Sequence, residues 1–213
     1  MKISSLLHIG RGVTALIGGG GKTTLLYTLA EELRKTGSVV LCTSTHIRVP
    51  EQYPLVTGGA EAIAGALREH GAVCAGTRAE GGKLTAPPVP FAELARLADY
   101  VLVEADGARG LPLKRHAAHE PVIPENAARV VLLVGADCFG KPIRAVCHRG
   151  TEDAVATPEW VARHIIAEGF GDRVFVNKVE SAGDYANAAA LAGYLTCPVA
   201  AGSLHKGVYV CLR

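Results

Sequence analysis

The sequence predicts an α/β fold of three layers, in which a mostly parallel sheet is covered by helices on both faces. Three observations carry that prediction. Apolar runs of strand length alternate with segments of helical period, the order expected of parallel strands joined by crossover helices. The runs Val13–Ile17, Tyr100–Glu104 and Arg129–Val134 are dominated by Val, Leu, Ile and Ala, as strands buried on both faces are. The first of these runs also leads through Gly18-Gly19-Gly20-Gly21 directly into an amphipathic helical segment.

Each element has a local reason. The segment from Lys22 to about Lys35 sets Leu25, Leu26, Leu29 and Leu33 on one side of a helix, and Gly37 ends it. Ser38–Cys42 follows as a buried strand. Ala60–His70 has helical period, after which Ala72–Thr77, a Gly81-Gly82 turn and Lys83–Thr85 read as a small hairpin at the sheet's edge. Phe91–Ala98 is a helix feeding the strand Tyr100–Glu104. Thr157-Pro158-Glu159 supplies an N-cap, a first-turn proline and an acidic residue at the positive end of the dipole, which predicts a helix over Pro158–Glu168. Arg173–Asn177 is a strand, Asp184–Leu195 an Ala-rich helix, and Val199–Ala201 with Val208–Leu212 the closing strands. There is no internal repeat, and the order of strands in the sheet is not readable from the chain.

A chain of 213 residues can bury about 70% of the surface its extended form exposes, enough for one core. Net charge is +2 with acidic and basic residues interspersed, so nothing in the electrostatics calls for nucleic acid or a membrane surface. The apolar runs are strand-sized, and no charged leader precedes a long hydrophobic stretch, so neither a transmembrane nor a secretory segment is expected. Six cysteines, Cys42, Cys74, Cys138, Cys147, Cys197 and Cys211, are scattered without a C-x-x-C pair; reduced, mostly buried thiols in a cytoplasmic protein follow.

The glycine tetrad with Lys22, Thr23 and Thr24 reads as a phosphate cradle. Glycines allow successive backbone N–H groups to turn inward, and the helix that follows adds unpaired N-terminal donors and the positive end of its dipole. Lys22 supplies a point charge for β- and γ-phosphates, and the Thr23 hydroxyl is placed to ligate Mg²⁺. The strict pattern G-x-x-x-x-G-K-[ST] asks for glycine where Leu16 stands. Even so, four glycines between a β-branched run and a Leu-rich helix imply that something large approaches the backbone closely.

Ligands in open α/β sheets gather beyond the carboxyl ends of the strands, and three further strand exits carry chemistry. Thr43-Ser44-Thr45-His46 offers hydroxyls, Thr43 first, that would donate to phosphate or complete a magnesium shell, and would equally serve a polar turn. In Val101-Leu102-Val103-Glu104-Ala105-Asp106-Gly107, an extended backbone points Glu104 and Asp106 to one face. Asp106 would hold Mg²⁺ and Glu104 would position the nucleophile, with a solvated loop carboxylate as the alternative for each. The third exit, Asn177-Lys178-Val179-Glu180, is similar to the N-K-x-D element with which GTPases read guanine, with Glu180 in place of the Asp; a plain strand-end turn accounts for it equally well. Together with Lys22 these residues give a P-loop NTPase-like reading, with ATP or GTP and Mg²⁺ as ligands and residues 1–213 as one nucleotide-binding domain carrying a small edge hairpin or subdomain around 54–90.

The phosphate loop I-G-G-G-G-K-T-T, the T-S-T-H-I segment, V-E-A-D-G-A-R-G-L-P-L-K at Val103–Lys114, H-E-P-V-I-P at His119–Pro124 and the V-N-K segment resemble the YqeC family of P-loop proteins. The resemblance runs from about Gly12 to Val179. It implies an accessory role for selenium-dependent molybdenum hydroxylases, in maturing or inserting their cofactor, with the hydroxylase or its maturation proteins as partners. Within the shared stretch, Arg109, Lys114, Arg115 and His116 would face phosphates or an anionic partner such as a pterin phosphate, or else form a solvated basic loop. His116, His119 and Glu120 would more readily dock the loop than bind a metal. Two activities follow. One is an NTP hydrolase or phosphoryl-transfer enzyme in which Lys22, Glu104 and Asp106 act. The other is a nucleotide-responsive binding module with little hydrolysis, in which NTP orders the loops Thr43–Arg48 and Asp106–Lys114. Ile17 stands where related ATPases carry the lysine that marks nucleotide-sandwich dimers.

Overall fold

The structure is a computed structural model that describes residues 1–213. The chain begins with α1 (Ile3–Leu6), β1 (Gly12–Gly18), α2 (Lys22–Leu33), β2 (Val39–Thr43), β3 (Ile47–Arg48), β4 (Leu55–Val56) and α3 (Ala60–His70). It continues through β5 (Ala72–Ala75), β6 (Thr77–Ala79), β7 (Lys83–Thr85), α4 (Phe91–Leu97), β8 (Tyr100–Glu104), β9 (Leu113–Lys114) and β10 (Ala127–Gly135). It closes with α5 (Ile143–Val146), β11 (Cys147–His148), α6 (Pro158–Glu168), β12 (Arg173–Asn177), α7 (Ala182–Tyr194), β13 (Val199–Ser203) and β14 (Val208–Cys211).

Nine strands form one sheet in the order β14-β13-β12-β10-β1-β8-β2-β5-β4. All pairs are parallel except β13 with β14. β1 lies in the middle, bonded to β8 on one side and β10 on the other, so the carboxyl ends of β1, β8, β2, β10 and β12 emerge along one edge. Alternation decides which side chains meet which layer. Leu16, Leu41, Leu102, Val131 and Phe175 meet Leu25, Leu26, Leu29 and Leu33 of α2, with Ile3 of α1. On the opposite face, Val13, Val40, Val101 and Val103 lie under α3 and α4 through Ile63, Leu67 and Leu94. Ala15, Ile17, Leu132, Val134, Val174 and Val176 lie under α6 and α7 through Val161, Ile165, Ala188 and Leu191. Fully burying each such Leu, Val or Ile stabilises by about 1.5–3 kcal/mol. This is the three-layer α/β fold, with a mostly parallel sheet covered by helices on both faces, that the sequence predicts.

The expected hairpin over residues 72–85 is corrected. Ala72–Ala75 is a parallel strand of the main sheet beside β2, while the antiparallel pair is β6 with β7, extended by β3 into a separate three-stranded sheet. The chain changes sheets at Gly76, where a Cβ would press against the Thr85 carbonyl and the Leu84 side chain. The short elements α1, β3, β4, β9, α5 and β11 span two to four residues each, too few for periodicity to register. No helix is long and apolar enough to cross a membrane.

The turn out of β1 is packed tightly against neighbouring backbone. Gly18 has φ 91° and Gly20 φ 81°, and a Cβ would strike the Leu133 carbonyl at the first position and the Gly135 backbone at the second. Gly18→Ala combines a left-handed φ with a backbone overlap, and a loss of about 3 kcal/mol is expected. A urea midpoint unchanged from wild type would refute it.

Candidate functional site

The site grows from the β1–α2 joint. Helix α2 begins at Lys22 with Gly21 as N-cap and no capping side chain. No protein acceptor takes the amides of Gly21, Lys22, Thr23 or Thr24; the first helical amide to find a partner is that of Leu25, donating to the Gly21 carbonyl. The first two of these residues open on a cavity of about 480 Å³ lined by Gly20, Gly21, Lys22 and Glu104, by His46, Arg48 and Lys83, and by the loop Gly107–Leu111. Its charged lining is one carboxylate, Glu104, against Lys22, Arg48, Lys83 and Arg109. Arg109 holds a left-handed backbone at φ 51°, a conformation that costs a non-glycine residue about 1–2 kcal/mol.

The glycine tetrad does less for a ligand than the sequence suggests. Gly18 N–H donates to Asp106 Oδ2 (2.7 Å), Gly19 N–H to the Leu133 carbonyl and Gly20 N–H to the Leu111 carbonyl (3.0 Å each). What approaches the glycines is the protein's own backbone at Leu111–Leu113 and Val134–Gly135. Of the tetrad, only the Gly21 amide is left without a partner.

Glu104 and Asp106 both reach the first turn of α2, as the extended geometry predicts, Glu104 on the cavity side and Asp106 inside the loop. Thr23 Oγ1 donates to Glu104 Oε2 (2.8 Å), which sets a hydroxyl beside the carboxylate that lines the cavity. Burial pushes the Glu104 carboxyl above its ordinary range, against the pull of Lys22 and Thr23. Asp106 is fully buried and faces inward. Besides Gly18 N–H, it meets the Lys22 ammonium 2.8 Å from Oδ1 and His116 Nε2 at 2.6 Å from Oδ2. Burial alone would raise its pKa, yet His116, Lys22 and the Gly18 amide together hold it below the ordinary aspartate value. Oδ1 has the ion pair but no aligned hydrogen bond. Lys22 also donates to the Gly18 carbonyl (2.6 Å), so its charge is already committed inside the loop.

The chain of charges continues. His116 Nδ1 lies 2.7 Å from Glu168 Oε2, and His116 N–H donates to Glu168 Oε1 (2.8 Å). Burial pulls the imidazole pKa down, but the bonds to Asp106 and Glu168 outweigh it and leave it raised. Nothing in the sequence spacing marks the partnership of His116 with Glu168, 52 residues away. Lys114, expected to face phosphate, is buried and bonded to the Gly107 carbonyl and Glu120; Arg115 pairs with Glu152. Of that basic segment only Arg109 lines the cavity.

Thr43 is fully buried; its hydroxyl donates to the Glu104 carbonyl (2.7 Å) and accepts from Thr45 N–H, so its expected place in a metal shell is corrected to one inside the strand end. Asn177 does reach the loop: its Nδ2 donates to the Gly20 carbonyl (2.7 Å), and its Oδ1 accepts from Leu204 N–H. Lys178 bonds Asp137, and Glu180 bonds Ser203 and Lys206; neither lines the cavity. The oxygens suited to Mg²⁺ are those of Thr23 and Glu104, and a hard cation needs only one or two protein carboxylates when phosphates complete its shell.

A family model described as YqeC protein matches residues 14–151 of this chain. A protein of Escherichia coli (strain K12) described as uncharacterized protein YqeC is 34% identical over 139 residues, which cover 62% of this chain and 54% of that one; the chain thus spans about half the length of this relative. Among solved structures, the signal recognition particle 54 kDa protein from Aeropyrum pernix K1 in complex with GDP aligns with a TM-score of 0.44 and 20% identity, covering 95% of this chain and 44% of that one.

The buried charges give stability a defined pH dependence. With its folded pKa raised, His116 contributes fully below its unfolded value of about 6.5 and loses that contribution as pH rises through the folded value. Asp106 and Glu168, both held low, contribute above their unfolded values of about 4 and lose this as pH falls through the folded ones. The stability gap between wild type and His116→Gln is therefore expected to be largest, about 3 kcal/mol, between roughly pH 4.5 and 6.5, and to narrow above. Urea midpoints across pH 4–9 check it; a gap independent of pH would refute it.

Proposed function

The chain belongs to the YqeC family, and we propose that it binds a nucleoside triphosphate, ATP or GTP, with Mg²⁺ and hydrolyses it or passes on its phosphoryl group. The observation that carries this reading is the cavity: unpaired amides at the start of α2, the cations Lys22 and Arg109, and Glu104 line one space, with the Thr23 hydroxyl bonded to that carboxylate. Helix N-termini with cations around them favour phosphate, and about 480 Å³ lies within the range of small-molecule sites. Residues 1–213 act as one binding domain, with the three-stranded sheet as a wall of its cavity.

The residues divide the work. The amides of Gly21 to Thr24 would hold the terminal phosphates, and Lys22, drawn from Asp106 toward the ligand, would offset their charge. Thr23 and Glu104 would hold Mg²⁺, which when bound neutralises charge on phosphate oxygens. Asp106, through its bonds to Gly18 and Lys22, keeps the lysine on the loop and out of water. Asn177 fixes the loop from the β12 side. The step serves, as the family resemblance implies, in maturing selenium-dependent molybdenum hydroxylases.

A second reading, a nucleotide-responsive module with little hydrolysis, is favoured by one observation. Gly20 N–H donates to the Leu111 carbonyl, and Gly135 N–H to that of Pro112. A ligand that shifts the glycine loop would therefore also shift the segment Gly107–Leu111, exposed at Gly107, Arg109 and Gly110, which a client protein would read.

Calorimetric titration with ATP and GTP in magnesium tests the shared premise. Lys22→Ala is expected to weaken nucleotide binding about 30- to 150-fold, the value of charge-assisted bonds worth about 2–3 kcal/mol; unchanged affinity in a variant that keeps its fold would remove the site. Phosphate release by the pure protein, alone and with a molybdenum hydroxylase, separates the readings. Tight Mg-nucleotide binding with no release in either setting would leave the module.

A further inference from the structure

The three-stranded sheet contains an arrangement that a nucleotide site does not require. β3 and β7 pair antiparallel with Ile47 opposite Leu84 and Arg48 opposite Lys83. Ile47 and Leu84 are buried, and that apolar pair fixes the register, because a slip by one residue would bury the charges instead. Alternation then turns Arg48 and Lys83 to the other face, where both line the 480 Å³ cavity. Neither makes an ion pair with a carboxylate. Like charges directly opposite one another on paired strands destabilise the sheet. An anion lying between them removes that repulsion.

The anion need not come from the nucleotide, whose phosphates have their own donors at the other wall, on α2. His46, beside Arg48 in the chain, also lines a neighbouring cavity of about 430 Å³, whose wall includes Ser44, Thr45, Thr85, His119 and Glu120. The two spaces meet at His46. One offers unpaired cations, and the other offers hydroxyl, imidazole and carboxylate groups suited to a polar, neutral body.

We propose that Arg48 and Lys83 form the phosphate subsite for a second substrate, a phosphate-bearing polar molecule distinct from the nucleotide, whose body extends past His46 into the neighbouring cavity. This deepens the nucleotide reading: it rests on that reading for the occupant of the α2 wall and names the class of molecule that shares the site.

The test is titration of the full chain with inorganic phosphate and with glycerol phosphate, first free and then saturated with Mg²⁺ and a non-hydrolysable triphosphate. Saturated wild-type protein is expected to bind glycerol phosphate still. Arg48→Gln with Lys83→Gln is expected to weaken that binding about tenfold or more while nucleotide affinity changes by less than about threefold, since two charge-assisted bonds are removed from one ligand only. The swap Arg48→Lys with Lys83→Arg should restore binding to the saturated protein. Competition between nucleotide and glycerol phosphate, with the double Gln variant losing both, would assign the pair to the nucleotide's own tail and overturn the proposal, as would full binding by the double variant. Both side chains are exposed, and in phosphate-free buffer the double Gln variant should have a urea midpoint equal to or above wild type; a lower one would contradict the repulsion argument. Should no nucleotide bind, the free-protein titrations stand alone: glycerol phosphate binding lost in the double Gln variant but kept in Lys22→Ala would fail the nucleotide reading and uphold the subsite.

Discussion

The buried carboxylate of Asp106 is the constraint on which the rest of the site depends. Stripped of partners, a charge that deep would cost several kcal/mol. It therefore takes three donors from three parts of the chain: the Gly18 amide at the end of β1, the Lys22 ammonium in the first turn of α2, and His116 in the segment crossing the loop. His116 carries the link to Glu168 at the end of α6, on the opposite face of the sheet from α2. Two helices on opposite faces are thereby tied through one carboxylate, and the position of Lys22 is set by that tie.

The same economy shapes the cavity. With Asp106 turned inward, the acidic group left at the ligand wall is Glu104, beside the Thr23 hydroxyl, and the remaining wall charges are cations. Two of these, Arg48 and Lys83, stand where they do because Ile47 and Leu84 are buried beneath them. Apolar burial of about 1.5–3 kcal/mol per residue exceeds a cross-strand repulsion of up to about 1 kcal/mol. Packing on the α2 face thus dictates the charge that a ligand meets.

How much of this was legible from the sequence depends on how local the cause is. The strand Tyr100–Glu104, the helix Pro158–Glu168 with its Thr157 cap and the Leu-rich helix after the glycines are specified by neighbours within a few residues, and they appear where the sequence puts them. The meeting of Glu104 with Thr23 and of Asp106 with Lys22 was readable in outline, because strand exits converge in a parallel sheet. The inward turn of Asp106 was not. It depends on His116, 10 residues from Asp106, and on the backbone of Leu111–Leu113 filling the loop from about 90 residues away, contacts with no periodic signal. The register of β3 on β7 escaped for the same reason: two-residue strands carry no alternation to count, and only the buried Ile47–Leu84 pair reveals the facing cations.

A nucleotide bound as proposed would meet a loop that already satisfies itself. The Lys22 ammonium has a carboxylate and a carbonyl as partners, so a phosphate must compete with them rather than fill a void. The competition is uneven. A triphosphate brings several negative charges against one, with Mg²⁺ neutralising only part, whereas Asp106 keeps His116 and the Gly18 amide after Lys22 leaves and is not stranded without partners. Both sides of the exchange therefore retain compensated charge, which is the condition for moving a buried ion cheaply. The Asp106–His116–Glu168 chain is thus read as the counterweight that lets Lys22 leave the protein's own carboxylate for a ligand's phosphate.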